Sequence, residues 1–118
     1  MSIKNKNLVK KINEALSKGN TEFVSVHLAD DIRWNIVGMP TVSGKSEFLK
    51  TMKMMVIESF PDITVKNIIA EGDYVVVEST GNAKTGESYN PSYCDVYHLK
   101  DEKIQELTTY IVDVTSNE

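Results

Sequence analysis

From Ile63 onward the chain reads as one strand-like segment after another, and this half of the sequence constrains the fold most. Three or four strands are expected, over about Ile63 to Ala70, Tyr74 to Ala83, Ser92 to Leu99 and Lys103 to Val114, all rich in β-branched and aromatic residues. Turn signals stand at Glu71-Gly72-Asp73 and Lys100-Asp101-Glu102. Connections this short join antiparallel neighbours, whereas a parallel crossover takes a dozen or more residues. The sequence therefore predicts antiparallel meanders.

The first half is patterned differently. Leu8, Val9, Ile12, Ala15 and Leu16 make the apolar stripe of an amphipathic helix ending at Gly19, with Lys10, Lys11, Asn13, Glu14 and Ser17 on a face expected to be solvated. Asn20 or Thr21 can cap a short second helix through Phe23, Val24, His27 and Leu28, and Asp30 and Asp31 then break the pattern. Ile32 to Val37 reads as a strand stopped by Gly38 and Pro40. Ser43 or Gly44 can cap a third helix, in which Phe48, Met52, Met55, Val56 and Phe60 recur at helical spacing until Pro61. Helices mostly precede strands, which favours an α+β fold with helices on one face of an antiparallel sheet.

At 118 residues the chain is expected to form one domain, 1–118, with a single core. Its hydrophobic content of 41% and charged content of 25% are those of an ordinary soluble globular protein. A net charge of −4 and a single arginine, Arg33, leave no basic stripe for a phosphate backbone, so nucleic acid is not an expected partner. No apolar run approaches the roughly 18 residues that span a bilayer, and no membrane partner is expected. The first residues carry lysines but no apolar signal segment, and Cys94 is the only cysteine, so a reducing, cytoplasmic location is expected.

The order of these elements, together with ALSKGNTEFVSVHLADDIRW, Gly38, SGKSEFL, FPDITVKNIIAEGDYVVVESTG, YCDVYHL and DEKIQELTTY, resembles the SnoaL-like and ketosteroid-isomerase-like branch of the nuclear transport factor 2-like superfamily. The resemblance spans nearly the whole chain and rests on order and spacing, since each motif alone is turn chemistry and apolar alternation. It implies a cone-shaped α+β barrel, three helices packed in a strongly bent, mainly antiparallel sheet, with an open-ended internal pocket. It also implies a homodimer formed through the outer face of the sheet.

Along Ser92 to Leu99, alternation places Tyr93, Asp95, Tyr97 and Leu99 on one face and Cys94, Val96 and His98 on the other. Asp95 is thus a carboxylate among aromatics. If that face lines the pocket, desolvation raises its pKa, and the neutral acid can donate a hydrogen bond to a ligand oxygen. A purely structural carboxylate, satisfied by a tyrosine hydroxyl or a backbone amide, is the other reading.

By resemblance, Asp95 occupies the place of the steroid isomerases' protonated aspartate. Two other parts of that machinery are missing: their catalytic base falls on Asn35, which cannot hold a proton at neutral pH, and their helix-one tyrosine falls on Ile12. Ketosteroid isomerisation is therefore not expected. The relay of the superfamily's epoxide hydrolases, an arginine between two aspartates, could draw here only on Arg33 with Asp95.

His27 either faces the pocket or packs beside Leu28, and His98 belongs with the outer-face residues, as at a dimer interface. Trp34, Phe48, Met52, Met55, Phe60 and Tyr110 could wall an apolar ligand site, although the methionine and phenylalanine stripe reads better as ordinary core. Asp62 reads as a turn residue after the third helix, and Tyr89 and Asn90 as rim residues. Nucleotide, hydrolase-elbow and zinc-protease motifs are absent from the sequence, and no metal or dissociable cofactor is expected.

The expected ligand-contacting set is Asp95 as acid or base with Trp34, Asn35, Tyr93, Tyr97, His27 and Tyr110 around it. Two functions fit. One is a pocket for a small, largely apolar ligand bearing a carbonyl or hydroxyl, with isomerase, cyclase or dehydratase chemistry. The other is a non-catalytic dimeric binding or interaction module.

Overall fold

The apolar stripe that begins at Leu8 lies on a helix that starts further back, α1 (Ser2–Ser17), in a computed structural model that describes residues 2–54, 63–81 and 91–112. The extra turns are anchored by Asn5, which is buried and donates from its side-chain amide to the Gly72 carbonyl at 3.2 Å. Gly19 ends α1 with φ +72°, and the Asn20 and Gly19 amides bond back to the Ala15 and Leu16 carbonyls at 2.8 and 3.1 Å. This is a left-handed cap, a conformation glycine adopts without a Cβ penalty.

Asn20 then caps α2 (Thr21–Val26), its side-chain oxygen accepting from the Phe23 amide at 3.2 Å. That helix is shorter than its apolar spacing predicts. His27 is its C-cap, and Leu28 already begins strand β1 (Leu28–Ile36). Asp30 and Asp31 lie inside β1 rather than breaking the chain; both are exposed, where the strand's pairing register shifts between Leu28 and Arg33. An irregular stretch of strand lets both carboxylates reach water.

A two-residue strand, β2 (Val42–Ser43), is not evident in the sequence and pairs antiparallel with β1 at Arg33 and Trp34. Gly44, at φ +92°, leads into α3 (Lys45–Met52). Phe48 and Met52 of α3 are buried, as the stripe predicts, whereas Met55, Val56, Phe60, Pro61 and Asp62 lie outside the described residues.

The remaining strands are β3 (Ile63–Glu71), β4 (Tyr74–Gly81), β5 (Ser92–Lys100) and β6 (Lys103–Val112). They form one sheet in the order β2-β1-β6-β5-β4-β3. The meander β3 to β6 is antiparallel as expected, while β1 pairs parallel with β6. This pair needs no tight crossover, because the whole of α3 and the meander lies between its strands. Three helices and a six-stranded, curved, unclosed sheet make up the cone-like α+β fold.

Three register shifts, in β1–β6, in β3–β4 between Val65 and Asn67, and in β5–β6 between His98 and Leu99, supply local bends. Helix α1 packs on β3 and β4, α3 packs on β1 and β2, and α2 bridges the two helices. Between them the inner face of the sheet gives Ile32, Trp34, Ile36, Val75, Val77, Tyr97, Leu99, Ile104 and Leu107 to one core with Val9, Ile12, Leu16, Val24, Phe48 and Met52.

Candidate functional site

The inner face of β5 carries Tyr93, Asp95, Tyr97 and Leu99 in succession, in agreement with the alternation of the sequence. Tyr93, Tyr97 and Leu99 are buried, at 8%, 3% and 0% exposure, but Asp95 between them is only half-buried. The residue keeps partial exposure, while its carboxyl group is densely surrounded by protein.

Asp95 stands opposite Val77 of β4 and Thr109 of β6. The Thr109 hydroxyl donates to Asp95 Oδ1 at 2.6 Å, and the Trp34 indole Nε1–H donates to Thr109 Oγ1 at 2.8 Å. Trp34 is itself held by burial in β1 and by the tilted ring of Phe48, with centroids 5.1 Å apart. An indole N–H can only donate, so the threonine oxygen must accept from it and its single proton goes to Asp95.

Burial pushes the Asp95 carboxyl up from 3.8 to about 6, and the Thr109 hydrogen bond, which favours the charged form, opposes the rise. Tyr97 is pushed far above the ordinary range, first by its own burial and then by the negative charge of Asp95. A hydrogen bond from Asn13 of α1 pulls the other way. Tyr97 is consequently a neutral phenol wherever Asp95 titrates. Beside Tyr93 lies Ser79, buried on β4 and in register with it. The Tyr93 ring also lies against Gly81, where a Cβ would come within 3.3 Å of it.

The other residues singled out in the sequence lie elsewhere. Asn35 falls between the buried Trp34 and Ile36, so strand parity turns it to the outer face. There its amide nitrogen donates to Glu106 Oε2 at 2.7 Å and its oxygen accepts from Thr41 at 2.9 Å. Arg33 is exposed on that same face, opposite to Asp95, so the two do not form a relay. Tyr110 likewise lies outward and is 47% exposed, because it neighbours the inward-facing Thr109 in β6.

His27 sits at the tip of the β5–β6 hairpin, its ring 4.8 Å from that of Phe23 and Nδ1 3.3 Å from the Glu102 carbonyl oxygen. From the Leu99 level of β5 to Asp95 is four residues, about 13 Å of strand, so His27 does not reach Asp95. His98 stacks on Tyr74 on the outer face, with centroids 4.7 Å apart and planes 19° apart. Tyr89 and Asn90 lie outside the described residues. Among the described residues no three His, Cys, Asp or Glu side chains are grouped as a metal site.

Three members of the site are not marked in the sequence: Thr109, Ser79 and Asn13. The helical pattern puts Asn13 on the solvated face of α1, but it is half-buried and bonded both to the Val9 carbonyl at 3.1 Å and to Tyr97. Its signal is faint, a small polar residue adjoining Ile12 at the edge of the apolar stripe.

A curved, unclosed six-stranded sheet folded over three helices is the fold of the nuclear transport factor 2-like class. The sequence pattern of the SnoaL-like domain matches residues 9–107, and the chain belongs to that family. No curated protein matches the sequence. Among solved structures, it is similar to an NTF2-like protein of unknown function from Cytophaga hutchinsonii, with 26% identity, a TM-score of 0.74 and coverage of 91% of this chain and 98% of that one. A candidate ketosteroid isomerase from Kribbella flavida superimposes with a TM-score of 0.82 at 15% identity, covering 99% and 84% of the two chains. An epoxide hydrolase from Mycobacterium tuberculosis does so with a TM-score of 0.76 at 20% identity, covering 94% and 84%. Likeness at 15% and 20% identity speaks for the fold alone.

Proposed function

We propose that the protein binds a small, largely apolar ligand bearing a carbonyl or hydroxyl group on the inner face of its sheet, with Asp95 as the acid or base that meets the polar group. The observation that carries this reading is the carboxyl of Asp95, a partly exposed residue, on a face otherwise lined by Trp34, Val77, Tyr93 and Tyr97. Below about pH 6 the neutral acid donates to a carbonyl; above it the carboxylate accepts from a hydroxyl or takes a proton from an acidic C–H. These abilities fit isomerase, cyclase or dehydratase chemistry without a cofactor. They do not fit ketosteroid isomerisation, because Asn35 faces outward and Ile12 is buried core.

The second reading is a binding module without catalysis. It is favoured by the position of His27, His98 and Arg33, none of which faces Asp95 to serve as a second acid or base. In either case a homodimer through the outer face is proposed, on the strength of Ile69, Val112, Tyr74 and Tyr110, which are 64%, 57%, 52% and 47% exposed there. Sedimentation at micromolar concentration is expected to show a dimer, and monomer alone would reject it. No helix of the described residues is long and apolar enough to cross a membrane; a cytoplasmic location is proposed from the lone Cys94.

Two probes test the ligand reading: 2-naphthol, which donates a hydroxyl, and 2-acetylnaphthalene, which offers a carbonyl. Binding is followed by the Asp95 carboxyl and Trp34 indole resonances. The hydroxyl probe should bind more tightly above the Asp95 midpoint and the carbonyl probe below it. If neither probe perturbs these resonances at millimolar concentration, the ligand reading fails. Turnover of no substrate class, with binding retained, would favour the module.

A further inference from the structure

The hydrogen bonds on Asp95 are asymmetric, and the asymmetry is enforced from a distance. Trp34 Nε1–H has no lone pair to offer, so at 2.8 Å it fixes the Thr109 oxygen as its acceptor. The one hydroxyl proton of Thr109 is then committed to Asp95 Oδ1 at 2.6 Å. A proton on Oδ1 would have to point at the Thr109 oxygen and turn the hydroxyl proton away to another acceptor, and none is described for it. On Oδ2 the acid's own proton leaves the Thr109 bond in place, so Oδ1 stays an acceptor in both states of the acid.

We infer that Trp34 and Thr109 are positioning residues that make Asp95 a one-sided acid, with Oδ1 held as a permanent acceptor and Oδ2 the atom that gives a proton to, or takes one from, a bound ligand. This rests on the proposed role of Asp95 and adds to it which atom acts. It also assigns work to a buried indole and a buried hydroxyl that core packing alone does not require. A ligand that met Oδ1 would compete with the Thr109 bond, whereas one that meets Oδ2 leaves the chain intact. In a chain of this kind each bond polarises the next. Loss of the Oδ2 proton therefore strengthens the Thr109 bond and, through it, the pull on the Trp34 N–H.

Trp34 is the only tryptophan in the sequence, so its indole N–H gives a single resonance and a direct readout in the ligand-free protein. Among the described residues, few titratable groups lie on the faces around Asp95. Tyr93 and Tyr97 share its strand face, Cys94 and Glu78 lie on the outer face, and α1 presents the uncharged Asn13 while α3 presents Phe48 and Met52. Tyr97 stays a neutral phenol in that range, and loss of the midpoint in Asp95→Asn assigns it to Asp95 rather than to His27 or His98.

The test is to follow the indole proton and the Asp95 carboxyl carbon by NMR from pH 4 to 8 in the unaltered protein and in Thr109→Val, Thr109→Ser and Asp95→Asn. The indole proton should move downfield with the same midpoint as the Asp95 carboxyl, and it should stop titrating in Asp95→Asn and Thr109→Val. The Asp95 midpoint should rise in Thr109→Val, which removes a donor to the charged form, and return in Thr109→Ser. An indole proton indifferent to the Asp95 titration, or a midpoint that Thr109→Val leaves in place, overturns the inference even if naphthol binding persists. Failure of both probes to bind, with the coupled titration intact, instead overturns the ligand reading and leaves the proton on Oδ2. Should the valine variant fail to fold, the unaltered protein and the serine and Asp95→Asn variants still decide the question.

Discussion

Asp95 and Thr109 face one another across β5 and β6 and share a 2.6 Å hydrogen bond, the only charged-group contact described on the inner face of the sheet. The bond partly offsets the cost of placing a carboxylate there and does not remove it, since the carboxyl still lies at about 6, above its ordinary 3.8. The native state thus resists ionisation that the unfolded chain accepts freely.

The sign of the resulting pH dependence follows by linkage. A carboxyl raised on folding costs nothing below pH 3.8, costs progressively more up to about pH 6, and its full penalty persists above that. The lift corresponds to ~3 kcal/mol at most, and access of solvent to Asp95 lowers the effective figure. Asp95→Asn keeps an oxygen for Thr109 and places an uncharged amide at Oδ2. Urea unfolding should find this variant more stable by ~1–3 kcal/mol at pH 8 and about equal at pH 3.5. A variant less stable than the parent at pH 8 would mean that the ionised carboxylate is better solvated than its surroundings suggest.

Thr109→Val removes the hydroxyl while keeping the shape of the side chain. It leaves the Trp34 N–H, in a ring only 3% exposed, without its acceptor, and a buried donor left unmade costs ~1–3 kcal/mol. Thr109→Ser retains the oxygen and should lose less than ~1 kcal/mol, chiefly for the missing methyl group. Denaturant midpoints at pH 5 and pH 8 separate this loss from the electrostatic one. Equal losses in the two variants would mean that packing, and not the hydrogen bond, holds Trp34.

Strand parity is legible in the sequence, and period-two alternation by itself puts Asp95 on one face with Tyr93 and Tyr97. The partner of Asp95 is not legible there. Counting back from the two-residue turn, where Lys100 pairs with Lys103 and Leu99 with Ile104, sets Asp95 opposite Thr108. The irregularity around Gln105 adds one residue to β6, so that Thr109 arrives there instead and Tyr110 is sent outward. A bulge leaves no mark in apolar alternation short enough to distinguish it from an ordinary turn end. The same limit explains Asn35. Alignment on Gly38 gives a position along β1, while the face is decided by Trp34 and Ile36, whose large apolar side chains claim the core. The order of the elements is readable because it depends on caps and turns such as Gly19, Asn20 and Gly44, where local chemistry decides.

The β5–β6 turn offers a test of local strain independent of function. Asp101 and Glu102 have φ of +53° and +61°, left-handed values that cost a residue bearing a Cβ roughly 1 kcal/mol. Glu102 pairs at the surface with Lys4, whose ammonium lies 2.7 Å from its carboxylate and holds that carboxyl below its usual range. Asp101 has no described ion pair. Asp101→Gly should therefore stabilise the protein by ~0.5–1 kcal/mol in thermal or urea unfolding, because a two-residue hairpin turn of this hand favours glycine. Destabilisation would indicate that the aspartate side chain contributes to the turn.

Cys94 is next to Asp95 in sequence but on the other face, in register with Glu78 and Tyr110. Burial first, then the negative charges of Asp95 and Glu78, raise its thiol above the ordinary value. The thiolate is the nucleophile, so alkylation by iodoacetamide at pH 8 should run slower than for a thiol in a short unstructured peptide. Glu78→Gln removes one of the two charges and should shift the pH–rate profile of alkylation toward lower pH, with Asp95→Asn doing the same from the opposite face. The two shifts should add, because the charges act on Cys94 separately from the two sides of the sheet. A profile that both variants leave unmoved would assign the whole effect to burial, and alkylation at the peptide's rate would show that the thiol is open to water.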